Sequence, residues 1–270
     1  MITLNELDEL LFTIKKQFDY DFRDYSKASM LRRIHRFMEI NNLDNAFDLN
    51  FELVNNPTIF QNFINEIVVN VSEFFRDPSF FKSLQEKVFP YLESYPRINI
   101  WSAGCSFGEE TYSLNILLKE NKLFPKARIY ATDISNNAIK RSKNGIYNNT
   151  NFKEYTKNYF ECGGKENLND YFVSDEKHSM IHSELKQNIL FSNHNLVADS
   201  VFKECQLILC RNVLIYFNSN LQNKALELFY ESLPIHGFLA IGKKESLRFS
   251  SVYENFKEID REEKIYQKIK

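Results

Sequence analysis

The sequence predicts an α/β protein with a doubly wound, mostly parallel sheet, a small all-α domain before it and a small β-type insertion within it. Three observations carry that prediction. Residues 98–241 alternate short apolar runs with helical patterns, the βα rhythm of a parallel sheet. Residues 1–70 space their apolar side chains only as helices do. Between about residues 145 and 186 the rhythm fails over a stretch too long for a plain loop. The expected boundaries are 1–72 for the helical domain and 73–270 for the α/β domain, with the insertion at about 145–186.

Each element has its own signal. Leu7, Leu10, Leu11 and Ile14 mark a first helical stripe; Met30, Leu31, Ile34, Phe37 and Met38 mark a second. Phe47, Leu49, Phe51 and Leu53 alternate as a strand would, but their place between helical segments favours a third helix. Phe60, Phe63, Ile64 and Ile67 give a fourth. Pro78, at an early helical position where a missing N–H is no loss, opens a longer helix through Phe81, Leu84, Val88 and Leu92. Strands follow at 98–102, 129–133, 189–193, 207–210 and 238–241, with helices from 109, from 136 and over 221–233. The tail, 256–259 and 264–269, reads as a closing antiparallel pair. Gly163-Gly164 permits a tight hairpin inside the insertion.

Composition narrows the class. Apolar residues at 43% and charged residues at 26% are those of an ordinary soluble globular protein. A net charge of −2 gives no global attraction to nucleic acid or anionic membrane, so none is expected as a partner. No stretch approaches the ~20 apolar residues that span a bilayer. The acidic start, with Glu6, Asp8 and Glu9, is unlike a secretion signal. Cys105, Cys162, Cys205 and Cys210 form no CxxC pair, which points to a reduced, cytoplasmic chain without a cysteine metal site. A monomer without metal is expected.

The most informative stretch is Trp-Ser-Ala-Gly-Cys-Ser-Phe-Gly-Glu-Glu at 101–110. An apolar run breaks at Gly104 and Gly108 and passes into a helical pattern. Open α/β sheets hold nucleotide-like ligands at such strand–turn–helix junctions. The glycines would let the backbone approach the ligand. Glu109 and Glu110 at the mouth would repel a pyrophosphate but suit a ligand with an amine, a sulfonium or ribose hydroxyls. S-adenosylmethionine has all three. Asp133, where Arg-Ile-Tyr-Ala-Thr-Asp (128–133) runs out, stands where an acid accepts ribose hydroxyls. Its bland reading is a helix N-cap; beside the acidic turn the ligand reading is the better one.

Several motifs in order resemble the chemotaxis receptor methyltransferases, the CheR family. They are Asn-Val-Ser-Glu-Phe-Phe-Arg-Asp at 70–77, the turn at 101–110, Ala-Thr-Asp-Ile at 131–134, Gly-Ile-Tyr at 145–147, Asn195-Leu196, and Cys-Arg-Asn-Val-Leu-Ile-Tyr-Phe at 210–217. Residues 20–38 also resemble the family's basic N-terminal helix. The likeness spans nearly the whole chain. It implies the Rossmann-like fold of class I S-adenosylmethionine methyltransferases and protein-glutamate O-methylation, with S-adenosylhomocysteine as product and a chemoreceptor cytoplasmic domain as partner. There are departures. Ser72 stands where Thr is usual, Thr111 replaces a common Pro, and Gly-Lys-Lys-Glu at 242–245 replaces Gly-His-Ser-Glu, so no role for that His carries over to Lys243.

Methylating a carboxylate needs no general base, because a glutamate with a pKa of ~4.3 is already ionised near neutral pH. The site must instead align carboxylate, methyl carbon and sulfur. Arg76 is the first candidate, since its guanidinium can take a carboxylate in a forked pair. Its bland reading is a salt bridge to Asp77 or Glu73. Tyr216 is the second candidate; apart from the resemblance it reads as a core aromatic. Asn70, Ser72, Arg76, Glu110, Asp133, Asn195, Leu196, Arg211 and Asn212 are assigned to the cofactor, with Glu109 a lesser candidate whose bland reading is stabilisation of a helix N-terminus. Arg32, Arg33 and Arg36 form a one-signed cluster that would recognise an acidic receptor helix. Two rivals stand beside this reading. One is methylation of nucleic acid or a small molecule, against which the chain has no Pro-Pro motif. The other is a non-catalytic module that binds the cofactor or a partner.

Overall fold

The computed structural model describes residues 2–18, 20–68, 72–196 and 199–270. They form two compact units, Met1–Asn70 with Ile215–Gln222, and Val71–Leu214 with Asn223–Lys270.

The first unit contains α1 (Leu4–Phe18), α2 (Lys27–Asn41), α3 (Ala46–Asn55) and α4 (Pro57–Ile67). Its core is built from the expected stripes: Leu7, Leu10, Leu11 and Ile14, then Met30, Ile34, Phe37 and Met38, then Phe60, Phe63, Ile64 and Ile67. The segment with strand-like alternation is helical. Leu49 and Leu53, four apart, face the core, and Phe47 and Phe51 stay exposed. Asn45 and Asn56 cap α3 and α4 through their side-chain oxygens, which fixes where each helix begins. The returning segment joins this unit by a short antiparallel bridge between Tyr25 and Phe217. The Ser26 amide donates to the Tyr216 carbonyl at 2.9 Å, and the Asn218 amide to that of Asp24 at 2.9 Å.

The second unit opens with α5 (Pro78–Lys87) and α6 (Phe89–Glu93). The sequence suggests one helix here. The chain breaks at Val88 because Pro90 has no N–H to give and its ring would strike the carbonyl one turn back. Then come β1 (Ile98–Ala103), α7 (Glu109–Glu120), β2 (Ala127–Asp133) and α8 (Asn136–Asn144). The insertion holds β3 (Ile146–Asn148), α9 (Phe152–Glu161), β4 (Phe172–Ser174) and β5 (His178–Ile181). β6 (Ile189–Asn193), β7 (Leu207–Cys210), α10 (Ser219–Ser232), β8 (Phe238–Ile241), β9 (Phe256–Asp260) and β10 (Ile265–Lys268) complete the chain.

The described residues form a seven-stranded sheet in the order β6-β2-β1-β7-β8-β10-β9. β6, β2, β1, β7 and β8 are parallel, and β10 and β9 close the edge antiparallel. This is the doubly wound, Rossmann-like arrangement that the sequence predicts. The order reverses between β1 and β7. In such sheets the crevice for a ligand lies outside the carboxyl ends of the strands at that switch.

The insertion forms a three-stranded antiparallel sheet, β3-β5-β4. It also contains α9, which the sequence reading did not include. Tyr155 and Tyr159, four apart, are the buried face of that helix. Gly163 and Gly164 do not turn a hairpin. Their amides donate to the carbonyls of Phe160 and Tyr159 and end α9.

Candidate functional site

Residues 104–108 form the turn between β1 and α7. Gly104, Ser106 and Gly108 all have positive φ, at 72°, 50° and 94°. A Cβ on Gly104 would lie 2.4 Å from Val213 Cγ2, and one on Gly108 would lie 2.9 Å from Ser142 Cβ. The sequence reading gave these glycines to ligand approach. Their close neighbours are protein side chains, so left-handed backbone and tight packing require glycine here. The turn is held from outside as well. The Gly104 and Cys105 amides share the Thr132 carbonyl at 2.8 and 2.9 Å. The Tyr147 hydroxyl donates to the Phe107 carbonyl at 2.8 Å, which gives the Gly-Ile-Tyr motif at 145–147 a physical role. Thr111, at the place of a common Pro, hydrogen-bonds Ser102 across 3.0 Å.

Asp133 ends β2 and is 6% exposed. Its Oδ2 accepts from the Ser106 amide and its Oδ1 from the Ser135 amide, both at 2.9 Å. Burial raises its pKa, while those amides pull it down. Asp133 does not cap α8. Ser135 does so, accepting from the Ala138 amide at 3.2 Å. The Ile134 amide also pulls on the Asp133 carboxylate, and with about four acceptor sites it keeps acceptor capacity beyond these amides.

Glu109 is 5% exposed at the start of α7. Burial pushes its pKa up to about 7, against the opposing pull of its own backbone amide, a Ser72 hydrogen bond and the Arg141 charge. Its Oε2 and the Ser106 Oγ are buried without a hydrogen-bond partner among the described residues. Orphaned acceptors beside an acidic turn fit a ligand that brings N–H and O–H donors, as S-adenosylmethionine does. Among the described residues no group of His, Cys, Asp and Glu would hold a metal.

Arg211, at the end of β7, binds two acids at once. Its side chain is 1% exposed; Nη1 reaches Glu110 Oε2 at 2.8 Å and Nη2 reaches Asp77 Oδ2 at 2.5 Å. Nη1 also points at the Arg76 carbonyl across 3.4 Å, and the guanidinium lies 3.9 Å over the Phe80 ring. Asp77, Phe80 and Ser106 were missed by the sequence reading, because their partners are remote in the chain. Arg211 and Asp77 stand 134 residues apart.

Arg76 lies between Phe75 and Asp77, both left-handed at φ 54° and 58°. Phe74 and Phe75 are fully buried, and Arg76 is half-buried. Neither bland partner takes it. Asp77 binds Arg211, and the Arg76 guanidinium makes no ion pair with any described residue. Asn212, also left-handed at φ 62°, donates its amide to Glu245 Oε2 at 3.3 Å, and the Gly242 amide donates to the same oxygen. Lys243 pairs with Glu263 at 3.0 Å. Asn195 is half-buried just beyond β6, its amide donating to Asp199 at 2.7 Å, and Leu196 is buried. Asn70 lies outside the described residues.

Arg76, Glu110, Asp133, Arg211 and Asn212 belong to the second unit; Tyr216, Arg32, Arg33 and Arg36 belong to the first. There the Arg33 guanidinium lies 5.5 Å from the Tyr216 ring centre and donates to the Glu66 carbonyl at 3.0 Å. Desolvation lowers the Arg33 pKa. Arg36 pairs with Glu66 at 3.3 Å, and Arg32 is exposed. No helix among the described residues is long and apolar enough to cross a membrane.

Two family models match the chain: the CheR methyltransferase all-alpha domain over residues 5–68 and the CheR methyltransferase SAM binding domain over 70–265. The provisionally assigned methyltransferase Cher3 of Pseudomonas putida is 40% identical over 263 residues, covering 97% of this chain and 96% of that one. A chemotaxis protein methyltransferase of Listeria monocytogenes is 32% identical, covering 92% and 93%. One of Borreliella burgdorferi is 30% identical, covering 92% and 90%. The acidic turn, the buried Asp133 and the Arg211 network thus lie in a domain that binds S-adenosylmethionine, and the chain belongs to the CheR family of S-adenosylmethionine-dependent methyltransferases.

Proposed function

We propose that this protein methylates glutamate side chains of chemoreceptor cytoplasmic helices. One observation carries the reading: Arg76, next in the chain to the Asp77 that Arg211 holds together with Glu110, makes no ion pair with any described residue. A free guanidinium suits an anionic acceptor. The names of the Listeria and Borreliella relatives support a chemotaxis substrate.

When bound, S-adenosylmethionine supplies a methyl group already activated on a sulfonium. The chain's own residues have three tasks. Glu110 and Asp133 offer carboxylate oxygens to the cofactor's ammonium and ribose, and Asn70, Ser72, Asn195, Leu196 and Asn212 complete its binding. Arg76 takes the substrate carboxylate in a forked pair and presents one oxygen, so the protein contributes orientation rather than a base. The buried Phe74 and Phe75 anchor the backbone from which Arg76 projects. Tyr216 and the basic residues Arg32, Arg33 and Arg36 are assigned to substrate; Tyr216→Phe in the same assay tests the tyrosine.

The experiment is methyl transfer to a purified receptor cytoplasmic fragment, with cofactor affinity measured in parallel. Arg76→Ala should lower transfer roughly 100-fold, the loss expected when a reacting group is no longer oriented, and leave cofactor affinity near parental. Arg76→Lys should rescue poorly, since an ammonium cannot form the fork. Full activity in Arg76→Ala would overturn the assignment.

A further inference from the structure

We infer that Arg211 acts as a positioning residue for Arg76, working through Asp77 rather than through direct contact with the cofactor. The inference rests on the proposed role of Arg76.

Four observations point the same way. First, both terminal nitrogens and the face of the guanidinium are engaged by protein groups. Its two terminal nitrogens meet Glu110, Asp77 and the Arg76 carbonyl and its face covers Phe80, while Nε is buried without a hydrogen-bond partner among the described residues. Second, Asp77 occupies the N-cap position of α5, where an Asp normally accepts from the first helical amides. It makes no such bond. Its carboxylate turns to Arg211 instead. Third, the backbone on either side of Arg76 is left-handed at Phe75 and Asp77, although neither is glycine. Such conformations persist only where the surroundings over-determine them. The clamp on Asp77 and the buried ring of Phe75 supply that determination. Fourth, the same guanidinium holds Glu110, a residue assigned to the cofactor. One buried fork therefore fixes the spacing between a group for the cofactor and a group for the substrate carboxylate. Lys could not replace it, because a point charge cannot span two acids with defined geometry.

The test uses Asp77→Asn, Arg211→Gln, Arg211→Lys and the Asp77→Asn/Arg211→Gln double variant of the full chain. Four quantities are read: kcat, receptor KM, affinity for S-adenosylhomocysteine, and hydrogen exchange of the amides at 74–79. Asp77→Asn should lower kcat about 10-fold or more and speed that exchange, with product affinity within about twofold of parental. Arg211→Gln should do the same more strongly, and Arg211→Lys should not rescue. The double variant should match Arg211→Gln, because both changes break one clamp. Parental kcat and exchange in Asp77→Asn would overturn the inference. So would a large loss of product affinity in Arg211→Gln with unchanged exchange at 74–79, which would make Arg211 a direct ligand contact. If Arg211→Gln fails to fold, Asp77→Asn and Arg211→Lys decide. Failure of the Arg76 role itself would show separately, as an active Arg76→Ala.

Discussion

Glu109 is a carboxyl group driven toward its neutral form. Its pKa rises from an ordinary 4.5 to about 7 because burial removes the water that an anion needs. The folded state therefore keeps a proton that the unfolded chain releases across that range. The stability this residue contributes is fullest at or below 4.5 and is lost as pH rises through about 7, roughly 3 kcal/mol at 1.36 kcal/mol per pH unit. Glu109→Gln should match the parent's unfolding free energy near about pH 5 and exceed it by up to about 3 kcal/mol near about pH 8. A variant no more stable at the higher pH would mean an ionised, well-partnered Glu109. Asp133 makes a different demand, since it holds the Ser106 and Ser135 amides in addition to its proposed role toward ligand. Asp133→Ala should weaken S-adenosylmethionine and its product by ~1.5–3 kcal/mol and also lower stability, because the Ser106 and Ser135 amides lose their acceptor. Unchanged affinity in a titration would remove Asp133 from the ligand site.

The turn at 104–108 shows what could and could not be seen before the structure. Its place at a strand end, its glycines and its acids were all legible, since each is a local pattern. What the glycines touch was not. Val213 and Ser142 come from elsewhere in the chain, and no local pattern reveals a neighbour so remote. Gly104→Ala should destabilise the fold both through its φ of 72° and through a Cβ placed 2.4 Å from Val213 Cγ2. Adding Val213→Ala should recover the steric part and leave the ~1 kcal/mol or more of backbone strain, as measured by denaturant unfolding. No recovery would mean that the strain alone sets the penalty. The same limit explains other differences. The break at Val88 was written in Pro90. The stripe of α9 was present in Tyr155 and Tyr159 but stood in a stretch recognised only by its loss of βα rhythm. Asp77 was in plain view, yet its bond to Arg211 is a property of the folded sheet.

Across the whole molecule, the chain divides into a helical unit and an α/β unit, and the proposed function assigns recognition to the first and cofactor to the second. The basic helix is less uniform than its sequence suggests. Arg33 is half-buried and bound to the Glu66 carbonyl, so reversing it would damage the first unit itself. Arg32→Glu with Arg36→Glu is the cleaner test. The pair should raise the receptor KM, leave cofactor affinity unchanged and flatten the salt dependence of transfer, since exposed charges are screened over ~10 Å at 0.1 M. A parental KM with parental salt response would make α2 an ordinary solvated face. In the proposed reaction an arginine-oriented carboxylate receives the methyl group. Mass spectrometry of a receptor cytoplasmic fragment, incubated with enzyme and S-adenosylmethionine, tests that most directly. Added methyl groups on glutamate side chains, released as methanol by mild alkali, are expected from that reaction. Methyl groups that resist alkali or sit on nitrogen, or an unmodified fragment beside a protein that binds the cofactor, would contradict it.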